Sequence, residues 1–170
     1  MVHGTPTHPA ALAPADLLKA CAETRTRRSG PGGQHRNKTE TAVVLVHKLT
    51  GIAAEASERR SQAENRRVAL GRLRLKLALE HREPARIRAS DSWQRRVRGR
   101  QLVLAAEHED FPTLLAEALD QLHAAGFEIL PAAQKLGVTG TQLVRLFKKC
   151  PAAWVALNAW RADAGLPALK

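Results

Sequence analysis

The chain has 170 residues, of which 44% are hydrophobic, and its formal net charge is +11. The length predicts one domain, or one domain with a small appendage, and the apolar fraction excludes disorder throughout. The positive charge indicates an anionic partner, either nucleic acid or an acidic membrane surface. Residues 25–100 hold 20 Lys and Arg against 7 Asp and Glu (20 − 7 = +13), so the anion is expected to bind there.

The two cysteines, Cys21 and Cys150, are too few for a disulfide framework and show no metal-ligand spacing. We therefore expect no metal site, no cofactor and a reducing, cytoplasmic location. The first residues lack the apolar core of a signal peptide, and no run of 18 apolar residues occurs. No membrane partner is expected.

The first half of the chain is predicted to combine short strands with helices. The stretch ADLLKACAE predicts a short helix with Leu17, Leu18 and Cys21 on one side, and TRTRR predicts a strand. The β-branched residues 43–46 predict a second strand, and residues 52–56 its hairpin partner.

The chain from residue 61 onward is predicted to be mainly helical. A long helix over residues 61–81 has an apolar stripe and basic residues on its other faces. Further helices are predicted over residues 111–126, on both sides of Gly137 and Val138, and from Pro151 to Gly165. The predicted fold class is α+β: a small mixed β-sheet with a glycine-rich loop and one long helix, followed by an all-α C-terminal module. The predicted segments are a flexible tail (1–13), a catalytic domain (14–82), a basic linker or arm (83–110) and a helix-turn-helix-like module (111–170).

The glycine-rich loop is the sequence GPGGQ, which ends in Gly32, Gly33 and Gln34. Glycines let the backbone approach a ligand closely, so the loop can present the Gln34 N–H to a developing oxyanion. The Gln34 amide can orient a water molecule, but it cannot act as a strong base. On its own, the triplet is more often a turn than a catalytic element.

The sequence around this loop resembles the catalytic domain of class I peptide chain release factors. The loop lies within a longer signature, S-G-P-G-G-Q-x-x-N-K-x-x-x-A-V, and an R-S-Q-x-x-N element follows downstream. The resemblance covers about residues 22–80. The matching positions are residues 29–34, Asn37, Lys38, Ala42, Val43, Arg60, Ser61, Gln62 and Asn65.

The resemblance implies that the loop enters the peptidyl transferase centre of the large ribosomal subunit and promotes hydrolysis of the P-site peptidyl-tRNA ester. Gly32, Gly33 and Gln34 would be the catalytic residues. It also implies a glutamine methyltransferase as a possible partner acting on Gln34. A monomer is expected. The residues expected to contact rRNA or tRNA are Arg27, Arg28, Ser29, His35, Arg36, Asn37, Lys38, Arg59, Arg60, Gln62, Arg66 and Arg67.

The chain departs from full-length release factors in ways that predict codon-independent rescue of stalled ribosomes. About twenty residues precede the catalytic domain, and no tripeptide codon-reading motif is seen. The basic C-terminal tail of rescue factors is also missing, and we hypothesise that residues 82–100 enter the mRNA channel in its place.

Two alternatives to the rescue enzyme are a non-hydrolytic rRNA-binding factor and a DNA-binding regulator built on the C-terminal helices. Residues 101–170 carry 6 basic and 7 acidic side chains (6 − 7 = −1), so DNA is not expected as a partner. Trp93, Trp154 and Trp160 are predicted to be core or interface residues.

Overall fold

The computed structural model of the protein describes residues 7–26 and 41–170. Two compact units are present, one comprising Pro9–His81 and the other Arg82–Lys170 with the first eight residues. The glycine-rich loop, Gly32 to Gln34, lies outside the described residues.

The first unit is built on a three-stranded sheet of order β1-β2-β3. Strand β2 is central, and its inward side chains Val43 and Leu45 are fully buried, as expected for a β-branched-rich strand. The predicted strand at residues 43–46 and its hairpin partner are confirmed. The unit begins with a single 3-10 turn, Pro9–Ala11, and its strands and first helix are α1 (Pro14–Lys19), β1 (Cys21–Thr26), β2 (Ala42–His47) and β3 (Ala53–Ala56).

Helix α2 (Gln62–Glu80) covers the sheet with an apolar stripe, and the long predicted helix is confirmed. Leu70, Leu73 and Leu77 recur at helical spacing and are buried. Burial of each such side chain contributes roughly 1.5–3 kcal/mol. The helix begins where Ser61 caps it, with the Ser61 hydroxyl accepting from the Glu64 N–H.

The second unit is mainly helical, and the helices predicted for it are confirmed. Thr139 caps the second member of a helix pair, and Gly126, Gly137 and Gly165 follow helix ends with φ between 61° and 73°, as glycine allows there. The elements are α3 (Asp91–Gln94), β4 (Val97–Arg98), β5 (Gln101–Leu102), α4 (Phe111–Ala124), α5 (Ile129–Lys135), α6 (Gly140–Lys148) and α7 (Pro151–Asp163).

The core of the second unit contains Trp93, whose side chain is fully buried. Its indole N–H donates to the Leu136 carbonyl at 2.8 Å, which joins α3 to the end of α5. The prediction that Trp93 is a core residue is confirmed. The predicted basic linker, residues 83–110, therefore contains a short helix and the β4–β5 hairpin, and its role in the mRNA channel stays a prediction.

The structure corrects two details of the sequence-based fold, while the α+β class is confirmed. All three strands of the sheet are antiparallel, so the sheet is not mixed. Helix α1 stops at Lys19, and Cys21 begins β1 instead of continuing the helix. The reason is that Cys21 pairs with His47 in the sheet, and this pairing overrides its helical spacing from Leu17. Among residues 7–26 and 41–170, no helix is long and apolar enough to cross a membrane.

Candidate functional site

Residues 27–41, the candidate catalytic segment, connect the end of β1 to the start of β2. Thr26, the last residue of β1, pairs with Ala42, the first residue of β2. The chain that connects these two positions contains Gly32, Gly33 and Gln34. Of the predicted site residues, the structure describes Arg59, Arg60, Gln62, Arg66 and Arg67. Those outside the described residues are Arg27, Arg28, Ser29, Gly32, Gly33, Gln34, His35, Arg36, Asn37 and Lys38.

Asn65 holds the C-terminal flank of that segment in place. Its side chain lies in the first turns of α2, is fully buried, and makes three hydrogen bonds. The Asn65 Nδ2 donates to the Thr41 carbonyl at 2.7 Å and to the Arg59 carbonyl at 2.9 Å, while its Oδ1 accepts from the Arg59 N–H at 2.9 Å. One buried amide therefore ties the residue before β2 to the residues before α2.

This contact brings part of the predicted basic cluster close to the catalytic segment. The backbones of Thr41 and Arg59 both lie within hydrogen-bond distance of one side chain. The Arg59, Arg60 and Arg67 side chains are exposed, and none forms an ion pair in the part of the chain that the structure describes. Their charges are therefore not neutralised by the described acidic residues and can meet phosphates.

Arg66 differs from these three arginines because a carboxylate within the unit engages it. Its Nη2 donates to Glu23 Oε1 at 2.7 Å, linking α2 to β1, and Arg25 Nε reaches the same oxygen at 3.3 Å. The hydrogen bond from Arg66 is the main reason that the pKa of Glu23 lies below its usual range. This ion pair orients the Arg66 guanidinium and partly neutralises its positive charge. Arg66 should therefore attract phosphates less strongly than the other three arginines.

The basic residues farther along α2 stabilise the unit itself. Arg72 donates to the Glu55 carbonyl at 2.8 Å and pairs with Glu58 at 2.5 Å, and Lys76 donates to the Ala53 carbonyl at 2.9 Å. These contacts fasten α2 to β3 and the residues after it. Among the described residues of α2, the arginines that stay available to phosphates are therefore those near its N-terminal end.

Sequence reasoning matched Asn65 to the R-S-Q-x-x-N element without assigning it a function. An asparagine four residues after a helix cap was the available signal, because a buried amide needs several partners. Glu23 was missed altogether. Its partner Arg66 is 43 residues away, so no local pattern reveals the pair. Within the described residues, no group of three or more His, Cys, Asp or Glu side chains could hold a metal ion.

The first unit combines an antiparallel sheet, a capped helix and a Gly-Gly-Gln signature between β1 and β2, as the resemblance to release factors predicts. The RF-1 domain family matches residues 18–107, which is more than half of the chain, and the chain belongs to this family. The predicted resemblance is confirmed, and the match extends beyond the residues 22–80 on which it was recognised.

Several peptide chain release factors are similar to part of this chain. It is 49% identical over 57 residues to the mitochondrial peptide chain release factor 1-like protein of Mus musculus, covering 34% of this chain and 15% of that protein. It is 49% identical over 65 residues to peptide chain release factor 1 of Malacoplasma penetrans, covering 38% and 18%. It is 53% identical over 51 residues to peptide chain release factor 2 of Lactiplantibacillus plantarum, covering 30% and 14%. The aligned region thus spans less than a fifth of each of these relatives.

Proposed function

We propose that this protein promotes hydrolysis of the peptidyl-tRNA ester on the large ribosomal subunit and so releases the nascent peptide. The main support is membership of the RF-1 domain family together with an intact Gly-Gly-Gln triplet at residues 32–34. Binding alone would not require a glutamine at the tip of this loop. The partners are the ribosome and its P-site peptidyl-tRNA.

The proposed chemistry is positioning and electrostatic stabilisation. Gly32 and Gly33 let the backbone come close to the ester, and the Gln34 N–H stabilises the oxygen on which negative charge develops. The Gln34 side-chain amide orients the attacking water. The proton is accepted by the tRNA or rRNA, since a neutral amide is not a base.

Asn65 and the exposed arginines have a supporting role in this proposal. Asn65 fixes the point at which the chain leaves the catalytic segment, which restricts where the loop can reach. Arg59, Arg60 and Arg67 provide phosphate contacts beside it. These contacts predict ribosome binding that weakens as salt rises.

We further propose that the protein acts without reading a codon, in the rescue of stalled cytoplasmic ribosomes. The support for this part is the arginine-rich segment of residues 82–100, whose seven arginines suit the mRNA channel. The test compares release of labelled peptide from ribosomes on a truncated mRNA, on a stop codon and on a sense codon. Equal release in all three, or release on the truncated message alone, supports rescue, and release at stop codons alone refutes codon independence.

We also propose that the protein is a monomer and that Gln34 is methylated by a glutamine methyltransferase. Mass spectrometry of the peptide containing Gln34, from protein isolated with and without a co-expressed glutamine methyltransferase, tests the modification. Sedimentation equilibrium tests the monomer. An unmodified Gln34 in both samples would refute methylation, and a stable dimer would refute the monomer. Neither result would affect the proposed hydrolysis.

A further inference from the structure

The second unit contains a helix-turn-helix. Helices α5 and α6 are joined by the four residues 136–139, in which Gly137 has φ of 68°. Thr139 caps α6 by accepting from the Gln142 N–H at 3.2 Å. Leu143 and Phe147 are fully buried, so the opposite face of α6 is turned to solvent.

The β4–β5 hairpin is attached to the start of α6. The Thr139 N–H donates to the Arg100 carbonyl at 3.2 Å, and the Leu102 N–H donates to Gln142 Oε1 at 3.4 Å. The turn of the hairpin, Gly99 and Arg100, therefore lies beside the N-terminus of α6. This places an arginine-rich segment next to the exposed face of a helix-turn-helix.

Charge in this unit is segregated, although its average is small. Residues 129–162 contain five Lys or Arg and no Asp or Glu, and residues 95–101 contain four Arg and no acidic residue. Of the acidic residues between 107 and 128, three accept bonds inside the unit: Asp110 from Arg96, Glu117 from Ser90 and Asp120 from Arg82.

The net charge of −1 for residues 101–170 therefore does not describe the face of α6. That count omitted the hairpin, which belongs to the same unit. Residues 82–170 hold 13 basic and 9 acidic side chains, so 13 − 9 = +4. The net charge of this unit is therefore compatible with nucleic-acid binding.

Four basic side chains form what we call the basic surface: Arg98 and Arg100 on the hairpin, and Arg145 and Lys148 on α6. All four are exposed. Arg100 and Arg145 make no side-chain bond to any residue that the structure describes, and Lys148 lies 5.0 Å from the centre of the Trp154 ring.

Two other basic residues of the helical region are excluded from the basic surface. Arg161 is buried and donates to the Phe127 and Pro167 carbonyls, while Lys149 donates to the Leu104 carbonyl. Arg161 is thus internal to the unit, whereas Lys149 is exposed but its amino group is bonded to a main-chain carbonyl. Exposed basic residues also occur elsewhere in the unit, at Arg88, Arg95, Lys135 and Lys170, but the basic surface combines four where the hairpin meets α6.

We propose that the basic surface binds the phosphate backbone of helical RNA independently of sequence. A helix that reads bases in a groove uses long polar side chains in its first turn. Here that turn begins with Gly140 and Thr141, which are short, and the Gln142 oxygen is already bonded to the hairpin. Phosphate contacts without base contacts are the expected result.

The choice of RNA over DNA rests on the proposed function of the first unit, which would place the protein on the ribosome. A-form RNA is recognised mainly through its shape and its phosphates, because its major groove is too narrow for side chains to read. The basic surface itself does not depend on the proposed hydrolysis.

The test measures binding of the full chain to a mixed-sequence RNA duplex by fluorescence anisotropy across a salt series. The double variant Arg100→Glu/Arg145→Glu removes one contact from each element. The matched control is Lys135→Glu/Lys170→Glu, which changes the net charge equally at exposed positions outside both the basic surface and residues 82–100. Circular dichroism confirms that both variants fold.

The double variant is expected to bind at least about tenfold more weakly than the control, with a salt slope reduced by about two. Equal binding by the two variants would overturn the proposal. Wild-type preference for a DNA duplex of the same sequence would refute RNA as the partner. Gln34→Ala should bind the duplex like the wild type, so loss of peptide release by that variant and failure of this proposal are separate results.

Discussion

Replacement of Asn65 by alanine tests whether one buried amide holds the flank of the catalytic segment. The change deletes the bonds to the Thr41 carbonyl and to both main-chain groups of Arg59. It leaves these three groups to be satisfied by water, at the entrance to β2 and before α2.

The expected cost follows from those three bonds. Each contributes about 1 kcal/mol net, and alanine recovers about 0.6 kcal/mol through its higher helix propensity. The free energy of unfolding of the first unit should fall by about 2.5 kcal/mol. Asn158→Ala is the matched control, because its side chain accepts one bond, from the Leu169 N–H at 2.8 Å, and it also lies in a helix. The control should lose about 0.5 kcal/mol by the same reasoning.

Urea unfolding followed by circular dichroism and by tryptophan fluorescence measures both values. Fluorescence reports the second unit, since Trp93, Trp154 and Trp160 all lie in it. If the two units unfold separately, circular dichroism follows both transitions and fluorescence follows only that of the second unit. Asn65→Ala should then shift only the transition of the first unit, which fluorescence does not detect. A loss below about 1 kcal/mol, or one equal to that of Asn158→Ala, would refute the reasoning.

Three further substitutions test other parts of the structure. Trp93→Phe removes a buried indole N–H bond of 2.8 Å and leaves its carbonyl partner unpaired, so thermal unfolding should show a loss of about 2 kcal/mol. The control Trp160→Phe, at a half-exposed position, should lower the free energy of unfolding by less than about 1 kcal/mol. Because the pKa of Glu23 is depressed in the fold, its stabilising effect is present above the usual value near 4.5 and is lost as pH falls through the folded pKa. Glu23→Gln should therefore reduce the loss of unfolding free energy that the wild type shows as pH falls. The reduction should be at most about 1 kcal/mol, since Arg66 is partly exposed. The same acid-induced loss in the variant and the wild type would contradict this. Gly71→Ala should raise the free energy of unfolding by about 0.5–1 kcal/mol, because a Cβ there meets no atom within 4 Å and the residue is helical, and a loss would contradict this.

The strands and helices could be predicted from the sequence because their signals are local. The Val-rich run of β2, the leucine spacing of α2 and the cap at Thr139 each lie within a few neighbouring residues. The end of α1 could not be predicted in this way. Cys21 fits the helical spacing, but its pairing with His47, 26 residues away, decides its structure.

In the candidate site, too, local motifs could be predicted from the sequence and contacts between distant residues could not. The Gly-Gly-Gln signature and the R-S-Q-x-x-N element are fixed spacings that the sequence displays directly. The tie from Asn65 to Thr41, the pairing of Arg66 with Glu23 and the attachment of the hairpin to α6 join distant positions. The average charge of residues 101–170 also concealed the basic surface, because only the structure shows that the arginines of the hairpin lie beside α6.

The most direct test of the proposed function is the single-turnover rate of peptide release from ribosomes saturated with the protein. Gln34→Ala removes the amide proposed to orient the water, and Gln134→Ala is the matched control at an exposed position on α5. Gln34→Ala should slow release about 100-fold while ribosome affinity and the rate of Gln134→Ala stay at the wild-type level. Release by Gln34→Ala at the wild-type rate, or no release by the wild type despite ribosome binding, would contradict the proposal that this chain is a peptidyl-tRNA hydrolase.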